Sequence, residues 1–173
     1  MGLPQPRNPA GPYRVCFVCL GNICRSPMAE VVARAQLASA GLDGAVVVDS
    51  AGTGDWHIGQ RMNAGARAQL SRGGYDGGGH RARQFDASWF AERDLVIAMD
   101  NSNFKTLKSL ARTDNGDSDR IRLFGDVTGL AGADVPDPYG EDEAEFARVL
   151  SMLESAMPCL ITQISETLTP AAP

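Results

Sequence analysis

Short apolar runs alternate along the chain with longer stretches in which apolar residues recur at helical spacing. The predicted strands cover 14–18, 45–49, 94–99 and 121–124, and the predicted helices cover 26–39, 63–71, 87–92, 101–111 and 142–167. Strands that alternate with helices are joined by right-handed crossovers. The pattern therefore predicts a three-layer α/β fold, with a four-stranded parallel sheet flanked by helices.

Helix boundaries are marked by residues that favour capping. Ser26 is a predicted N-cap, with Pro27 at the first helical position and Gly41 beyond the helix end. Asn63 is the predicted cap of the second helix. A Gly-rich stretch, 73–79, predicts a flexible loop before the third strand.

Both ends of the chain differ in composition from its middle. Residues 1–12 contain four prolines and little apolar content, which predicts a disordered lead-in. Residues 167–173 predict a frayed tail. The remaining 13–166 are long enough for a single domain with its own core.

Composition excludes several classes of partner. The net charge is -5, so we expect no nucleic-acid surface. No apolar run approaches the ~20 residues of a membrane span, and residues 1–6 lack the apolar core of a signal peptide. The 4 cysteines fit a reducing compartment better than a disulfide scaffold. We expect a cytoplasmic protein, and secretion without a signal peptide stays an open alternative.

The segment 19–26, Cys-Leu-Gly-Asn-Ile-Cys-Arg-Ser, joins the first predicted strand to the first predicted helix. Inward-pointing N–H groups of such a loop, together with the positive end of the helix, bind phosphate. Arg25 supplies a planar fork for two phosphate oxygens. The same field favours the thiolate of Cys19, which is the form that attacks phosphorus. The segment therefore predicts a phosphate-binding loop and a cysteinyl-phosphate intermediate.

Three further residues of the segment support this chemistry. Gly21 permits a backbone conformation that a side chain would hinder, and the amide of Asn22 can hold the loop in shape. Ser26 can donate a hydrogen bond to the thiolate and help it leave. A Cys-x5-Arg spacing also arises by chance, and a buried cysteine is commonly a core residue. The strand before the loop and the helix after it favour the functional interpretation.

Several motifs together resemble the low-molecular-weight protein tyrosine phosphatase family, in its bacterial, tryptophan-containing subgroup. They fall in the family's order and spacing, at 19–30, 48–53, 55–59, 80–84, 98–100 and 135–139. The resemblance extends over roughly Arg14 to Leu160. It implies hydrolysis of phosphotyrosine in proteins, with no cofactor and no metal.

The resemblance also implies roles for residues outside the loop. Asp137, between two prolines, matches the general acid that protonates the leaving oxygen and later acts as base. Ser50 and His80 match residues that hold the loop in shape. Trp56 and Tyr139 match the aromatic walls of the substrate cleft, whose depth suits a phosphotyrosine ring better than phosphoserine.

The remaining loop residues are Leu20, Ile23 and Cys24. We expect Leu20 to contribute to the loop and Ile23 to pack against the substrate ring. The resemblance implies reversible pairing of Cys24 with Cys19, which would protect the nucleophile from irreversible oxidation. Expected partners are phosphotyrosine-containing proteins and a cognate tyrosine kinase, and we expect a monomer.

Four alternatives compete with this hypothesis. An arsenate reductase of the same fold needs further redox cysteines, and 60–95 contains none. Relatives that act on phosphoarginine have loops with Thr at the position where this chain has Ile23. Ile23 therefore favours phosphotyrosine. The exopolysaccharide-linked subgroup tends to lack the tryptophan of the cleft, so the presence of Trp56 argues against that subgroup. A catalytically dead phosphotyrosine-binding module could have dropped Cys19 and Asp137, and both are present.

Overall fold

The computed structural model describes residues 2–111 and 115–172. Its sheet has four parallel strands in the order β2-β1-β3-β4, which confirms the predicted fold class. The strands are β1 Tyr13–Cys19, β2 Val46–Gly52, β3 Leu95–Ala98 and β4 Ile121–Leu123. Strand order therefore switches at β1, which has β2 on one side and β3 on the other. Ligands of open α/β sheets bind at such a switch, beyond the carboxyl ends of the strands.

Five α-helices and two short 3-10 helices accompany the sheet in the described ranges. The α-helices are α1 Arg25–Ser39, α2 Ala64–Arg72, α3 Asn101–Leu110, α4 Phe124–Val127 and α5 Glu143–Leu168. The 3-10 helices are Ala87–Glu92 and Ser118–Arg120. The short α4 was not predicted, and it begins at Phe124, the last residue of the predicted strand 121–124.

The two faces of β1 belong to two hydrophobic cores. Val15 and Phe17 pack into the core that contains α1 and α5. Cys16 and Val18 point the other way, into a core with α3 and the 3-10 helix 87–92. This alternation follows from the two-residue period of a strand, and it makes β1 the central element of a three-layer structure.

One predicted helix cap is confirmed and another is wrong. Asn63 caps α2, since its side chain accepts a hydrogen bond from the N–H of Gly65 at 2.8 Å. Helix α1 begins at Arg25, with Cys24 at the N-cap position and no side-chain cap. Ser26 does not cap this helix because its hydroxyl is directed to Cys19 and Asn22.

The predicted disordered lead-in is also contradicted. Leu3 is buried in the main core. The guanidinium of Arg7 donates to the carboxylate of Asp117 at 2.8 Å and to the carbonyl of Arg93 at 3.1 Å, while its backbone N–H donates to Asp94 at 2.6 Å. Composition alone could not predict these contacts, because they join residues far apart in sequence.

The C-terminal helix runs further than predicted. Helix α5 ends at Leu168, and the hydroxyl of Thr169 donates to the carbonyl of Ser165 at 2.8 Å. Pro158 lies inside the helix and has no N–H for the carbonyl of Glu154, which accepts from the side chain of Gln36 at 3.2 Å. Met1 and Pro173, which belong to the predicted lead-in and tail, lie outside the described residues.

We predict that Arg7→Ala lowers the free energy of unfolding by about 1–3 kcal/mol, because Asp117 and the Arg93 carbonyl lose their charged donor. Urea denaturation measures this difference. The exposed Arg61 provides a control, and Arg61→Ala should leave the free energy of unfolding nearly unchanged. Equal effects of the two substitutions would contradict the role assigned to Arg7.

Candidate active site

The loop between β1 and α1 surrounds a buried thiol. Cys19 is the last residue of β1, and its side chain is buried. Its Sγ lies 2.9 Å from the hydroxyl of Ser26 and accepts a hydrogen bond from the backbone N–H of Asn22 at 3.3 Å. Both neighbours can donate to sulfur, so the loop provides hydrogen bonds for a thiolate.

Asn22 is the residue on which the loop's shape depends. Its side-chain NH2 donates to the hydroxyls of Ser26 at 2.8 Å and Ser50 at 3.0 Å. Its side-chain oxygen accepts from the backbone N–H of Arg83 at 2.9 Å, and its carbonyl lies 2.7 Å from Nε2 of His80. These contacts place Ser50 and His80 beside the loop. Arg83 was not predicted.

The left-handed residue of the loop is Asn22, with φ 57°, and not Gly21. Asparagine tolerates this conformation better than most side chains. The structure shows a different role for Gly21 from the predicted one, since a Cβ at this position would lie 2.8 Å from the ring of His57 and would displace that ring. The predicted importance of Gly21 therefore rests on close packing rather than on its own backbone angles.

Gly52, at the end of β2, supports the loop from below. A Cβ here would lie 2.7 Å from the carbonyl oxygen of Leu20 and 3.0 Å from the backbone nitrogen of Asn22. The carbonyl of Leu20 also accepts from the N–H of Gly54 at 2.8 Å. The loop backbone thus lies directly on the backbone of β2, and any side chain at position 52 would displace it.

Ser26 has one hydroxyl proton and three polar neighbours. Its oxygen accepts from Asn22, and it lies within reach of both the Cys19 sulfur and the carbonyl of Ala51, at 3.2 Å. When Cys19 is a thiol, sulfur can donate to Ser26, and the serine proton can go to Ala51. When Cys19 is a thiolate, the serine must donate to sulfur, so the hydroxyl can follow the charge state of the nucleophile.

His80 is held as a neutral donor. Burial lowers the pKa of His80, and the hydrogen bond to the Asn22 carbonyl opposes only part of this effect. A carbonyl can only accept, so the proton is assigned to Nε2. His80 therefore supports the loop without adding a positive charge of its own.

Arg25 carries the positive charge of the site. Its side chain is buried, and NH1 donates to the carboxylate of Asp100 at 2.6 Å and to the carbonyl of Val135 at 3.1 Å. NH2 lies 3.4 Å from the carboxylate of Asp137. Burial alone would lower the pKa of Arg25, but Cys19 and the two carboxylates outweigh it and raise the pKa. The guanidinium stays charged and fixed in orientation.

A cleft of about 240 Å³ opens above the loop. It is lined by Cys19, Leu20, Gly21, Ile23, Cys24, Arg25, Trp56, His57, Asp137 and Tyr139. Trp56 and Tyr139 remain largely exposed. The Trp56 ring packs over Gly54, where a Cβ would overlap it, and the rings of His57 and Tyr139 lie 5.8 Å apart between centroids. The cleft therefore has aromatic sides and a charged floor.

Asp137 reaches this cleft from the loop between α4 and α5. One carboxylate oxygen accepts from the backbone N–H of Tyr139 at 3.1 Å, and the other faces Arg25. The side chain is 43% exposed, so it can exchange protons with solvent. The flanking Pro136 and Pro138 limit the backbone freedom of this residue.

Cys24 is the second thiol of the cleft. Its side chain is buried, and burial, together with the charges of Cys19 and Asp137, raises the pKa of Cys24 to about 12. Cys24 is therefore a thiol near neutral pH and does not compete with Cys19 as nucleophile. Both residues are free cysteines in this structure, and their reversible pairing stays a prediction.

The structure brings all the predicted site residues together, either in the cleft or in the hydrogen-bond network beneath it. Four contributors were missed: Gly52, His57, Arg83 and Asp100. A signal existed for all four, since each lies in a motif that carried the resemblance. No cluster of His, Cys, Asp or Glu that could hold a metal ion occurs within 2–111 and 115–172.

The family model described as low molecular weight phosphotyrosine protein phosphatase matches residues 14–169. The chain belongs to this family. A low molecular weight protein-tyrosine-phosphatase of Streptomyces coelicolor is 46% identical over 157 residues, which cover 89% of this chain and 94% of the relative. Low molecular weight protein-tyrosine phosphatase A of Mycobacterium tuberculosis is 40% identical over 162 residues, covering 94% and 98%.

A solved structure supports the same assignment. The protein tyrosine phosphatase of Entamoeba histolytica, crystallised with Hepes in the active site, superposes with a TM-score of 0.84 at 34% identity. The superposition covers 89% of this chain and 97% of that one. The low molecular weight phosphatase fold, with its loop after the first strand, therefore extends over nearly the whole chain.

We predict that Gly52→Ala weakens the binding of inorganic phosphate by about tenfold or more, because the added Cβ pushes the loop's N–H donors away from the anion. Competitive inhibition by phosphate measures the loss. Gly44→Ala is the matched control, because a Cβ at Gly44 would meet no heavy atom within 4 Å and its φ is not positive. A folded Gly52→Ala protein with unchanged phosphate affinity would rule out the close approach.

Proposed function

We propose that this phosphatase hydrolyses phosphotyrosine in proteins through a cysteinyl-phosphate on Cys19. The observation that supports this most is that three groups line one cleft: the sulfur of Cys19, the guanidinium of Arg25 and the carboxyl of Asp137. Nucleophile, anion binder and proton donor are the three components that monoester hydrolysis by a thiolate requires.

In the first step, the thiolate of Cys19 attacks phosphorus and the bond from phosphorus to the tyrosine oxygen breaks. Asp137, in its protonated form, gives its proton to that oxygen, so a neutral tyrosine leaves. Arg25 and the loop N–H groups bind the nonbridging oxygens, on which negative charge is held in the transition state. The product of this step is a phosphoryl group on sulfur.

In the second step, a water molecule attacks the cysteinyl-phosphate. Asp137, now a carboxylate, takes a proton from the water as its oxygen bonds to phosphorus. The bond from phosphorus to sulfur breaks, and the thiolate leaves with a hydrogen bond from the Ser26 hydroxyl, which lies 2.9 Å from the sulfur. Inorganic phosphate is released and the enzyme returns to its starting protonation state.

Substrate selection follows from the residues that line the cleft. Trp56 and Tyr139 flank the entrance, and Ile23, which is buried, contributes an apolar surface beside the loop. An aromatic ring fits between such surfaces. An apolar Ile23 offers no hydroxyl to a guanidinium, which favours phosphotyrosine over phosphoarginine.

We further propose that the enzyme acts as a cytoplasmic monomer on phosphoproteins whose tyrosines a cognate kinase modifies. A mechanism that depends on a free thiolate favours a reducing compartment. None of the helices in the described ranges combines the length and apolar character that a bilayer crossing requires.

We predict that Asp137→Ala lowers kcat/KM for phenyl phosphate by about 10²–10⁴-fold, because the poor leaving group loses its acid. The loss for p-nitrophenyl phosphate should be much smaller, since p-nitrophenolate leaves without a proton. Steady-state kinetics with both substrates measures the difference. The exposed Asp55 serves as a control, and Asp55→Ala should change neither value appreciably. Equal losses for both substrates in Asp137→Ala would contradict a leaving-group acid.

A further inference from the structure

Arg83 is attached to the phosphate loop through its main chain. Its N–H donates to the side-chain oxygen of Asn22 at 2.9 Å. Its carbonyl accepts from the N–H of Gly52 at 2.8 Å, which pairs this segment with the end of β2. Arg83 therefore touches both the residue that shapes the loop and the strand on which the loop lies.

The side chain of Arg83 makes a second connection to the same network. One guanidinium nitrogen, NH2, donates to the carbonyl of Ser50 at 3.1 Å and to the carboxylate of Asp49 at 3.0 Å. Ser50 is the residue whose hydroxyl accepts from the NH2 group of Asn22. Arg83 thus acts on both ends of the Asn22 side-chain amide. Its backbone N–H binds the amide oxygen directly, and its guanidinium binds Ser50, whose hydroxyl accepts from the amide nitrogen.

The Arg83 side chain is 45% exposed, and Trp89 supplies a further contact that limits its mobility. The guanidinium carbon of Arg83 lies 4.9 Å from the centroid of the Trp89 ring, and that of Arg93 lies 4.5 Å from it. Asp49 accepts hydrogen bonds from both arginines, which offsets the repulsion between the two cations. The indole and the shared carboxylate together fix the Arg83 fork.

We infer that Arg83, held by Trp89 and Asp49, is a positioning residue for the phosphate loop. It acts through Asn22 and touches neither the phosphate nor the thiolate. The Arg83 side chain keeps Ser50 and the backbone of Arg83 itself in place. It thereby maintains the strained conformation of Asn22, whose own N–H points at the Cys19 sulfur. The inference rests on the proposed catalytic role of this loop.

The alternative explanation is a simple charge effect, in which any cation near the cleft attracts phosphate. Arg81 tests this alternative, because it lies two positions away, carries the same charge and is exposed. Its guanidinium donates to the carbonyl of His80 at 2.9 Å and makes none of the Ser50, Asp49 or Trp89 contacts described for Arg83. Arg83→Met and Arg81→Met therefore remove the same charge from the same segment.

The decisive experiment measures the inhibition constant of inorganic phosphate, together with kcat and KM for p-nitrophenyl phosphate, in wild type, Arg83→Met, Arg83→Lys and Arg81→Met. Assays are made well below each thermal midpoint. We expect the phosphate inhibition constant to rise about tenfold in Arg83→Met, as expected when charge-assisted hydrogen bonds that order the donors are lost. Arg83→Lys should recover part of this loss, and Arg81→Met should stay within about twofold of wild type.

A further variant keeps the test sharp if Arg83→Met fails to fold. Trp89→Leu leaves every hydrogen bond of Arg83 possible but removes the ring beneath its guanidinium, so we expect a smaller rise of about two- to fivefold. A lower thermal midpoint with an unchanged phosphate inhibition constant in these variants would show a purely structural role and overturn the inference. Equal rises in Arg81→Met and Arg83→Met would overturn it in favour of the charge effect.

Failure of the proposed function would look different. A wild-type protein that binds phosphate but releases no p-nitrophenol would refute the proposed chemistry. Isothermal titration of the same variants with inorganic phosphate would still show whether Arg83 organises the loop. The two hypotheses are therefore tested by separate readouts.

Discussion

The hydrogen bonds of the buried Asn22 side chain determine the geometry on which the rest of the site depends. This residue is left-handed at φ 57° and fully buried, a conformation that costs about 1 kcal/mol or more for a non-glycine residue. Its amide and carbonyl are bonded to Ser26, Ser50, His80 and Arg83, which come from three separate segments of the chain. These contacts offset the strain, and they also turn the Asn22 N–H toward the Cys19 sulfur.

A few charged residues beside the loop, and not the net charge of the chain, determine the charge distribution of the site. The chain has a net charge of -5, yet the Arg25 guanidinium and the positive end of α1 face the loop. Asp100 and the carbonyl of Val135 orient the Arg25 guanidinium from behind. Asp137 approaches it from the cleft side, where the proposed mechanism needs a proton donor. Arg25 thus has two carboxylate neighbours: Asp100 orients it, and Asp137 is the proposed proton donor.

Local sequence patterns were sufficient to predict the sheet and helices α1, α2, α3 and α5, but not α4. They were also sufficient to propose a phosphate-binding loop, since the strand–loop–helix spacing around Cys19 and Arg25 reflects local physics. Asp137 came from family resemblance, because an aspartate between prolines is otherwise a common turn residue. Asp100 and Arg83 act through contacts with residues distant in sequence, which periodicity does not encode. Contacts between residues distant in sequence also explain two wrong predictions. The Ser26 hydroxyl has a tertiary partner and does not cap the helix. The Arg7 side chain also has a tertiary partner, although residues 2–12 were predicted to be disordered.

The central claim, that Cys19 carries the phosphoryl group, is tested most directly by trapping the intermediate. The Asp137→Ala protein is mixed with p-nitrophenyl phosphate, whose leaving group needs no acid, and quenched within the first turnover. Because hydrolysis of the intermediate lacks its base, peptide mass spectrometry should find one phosphoryl group on the peptide that contains Cys19, attached to sulfur. A phosphoryl group on another residue, or p-nitrophenol release with no phosphorylated peptide and no burst, would contradict the account.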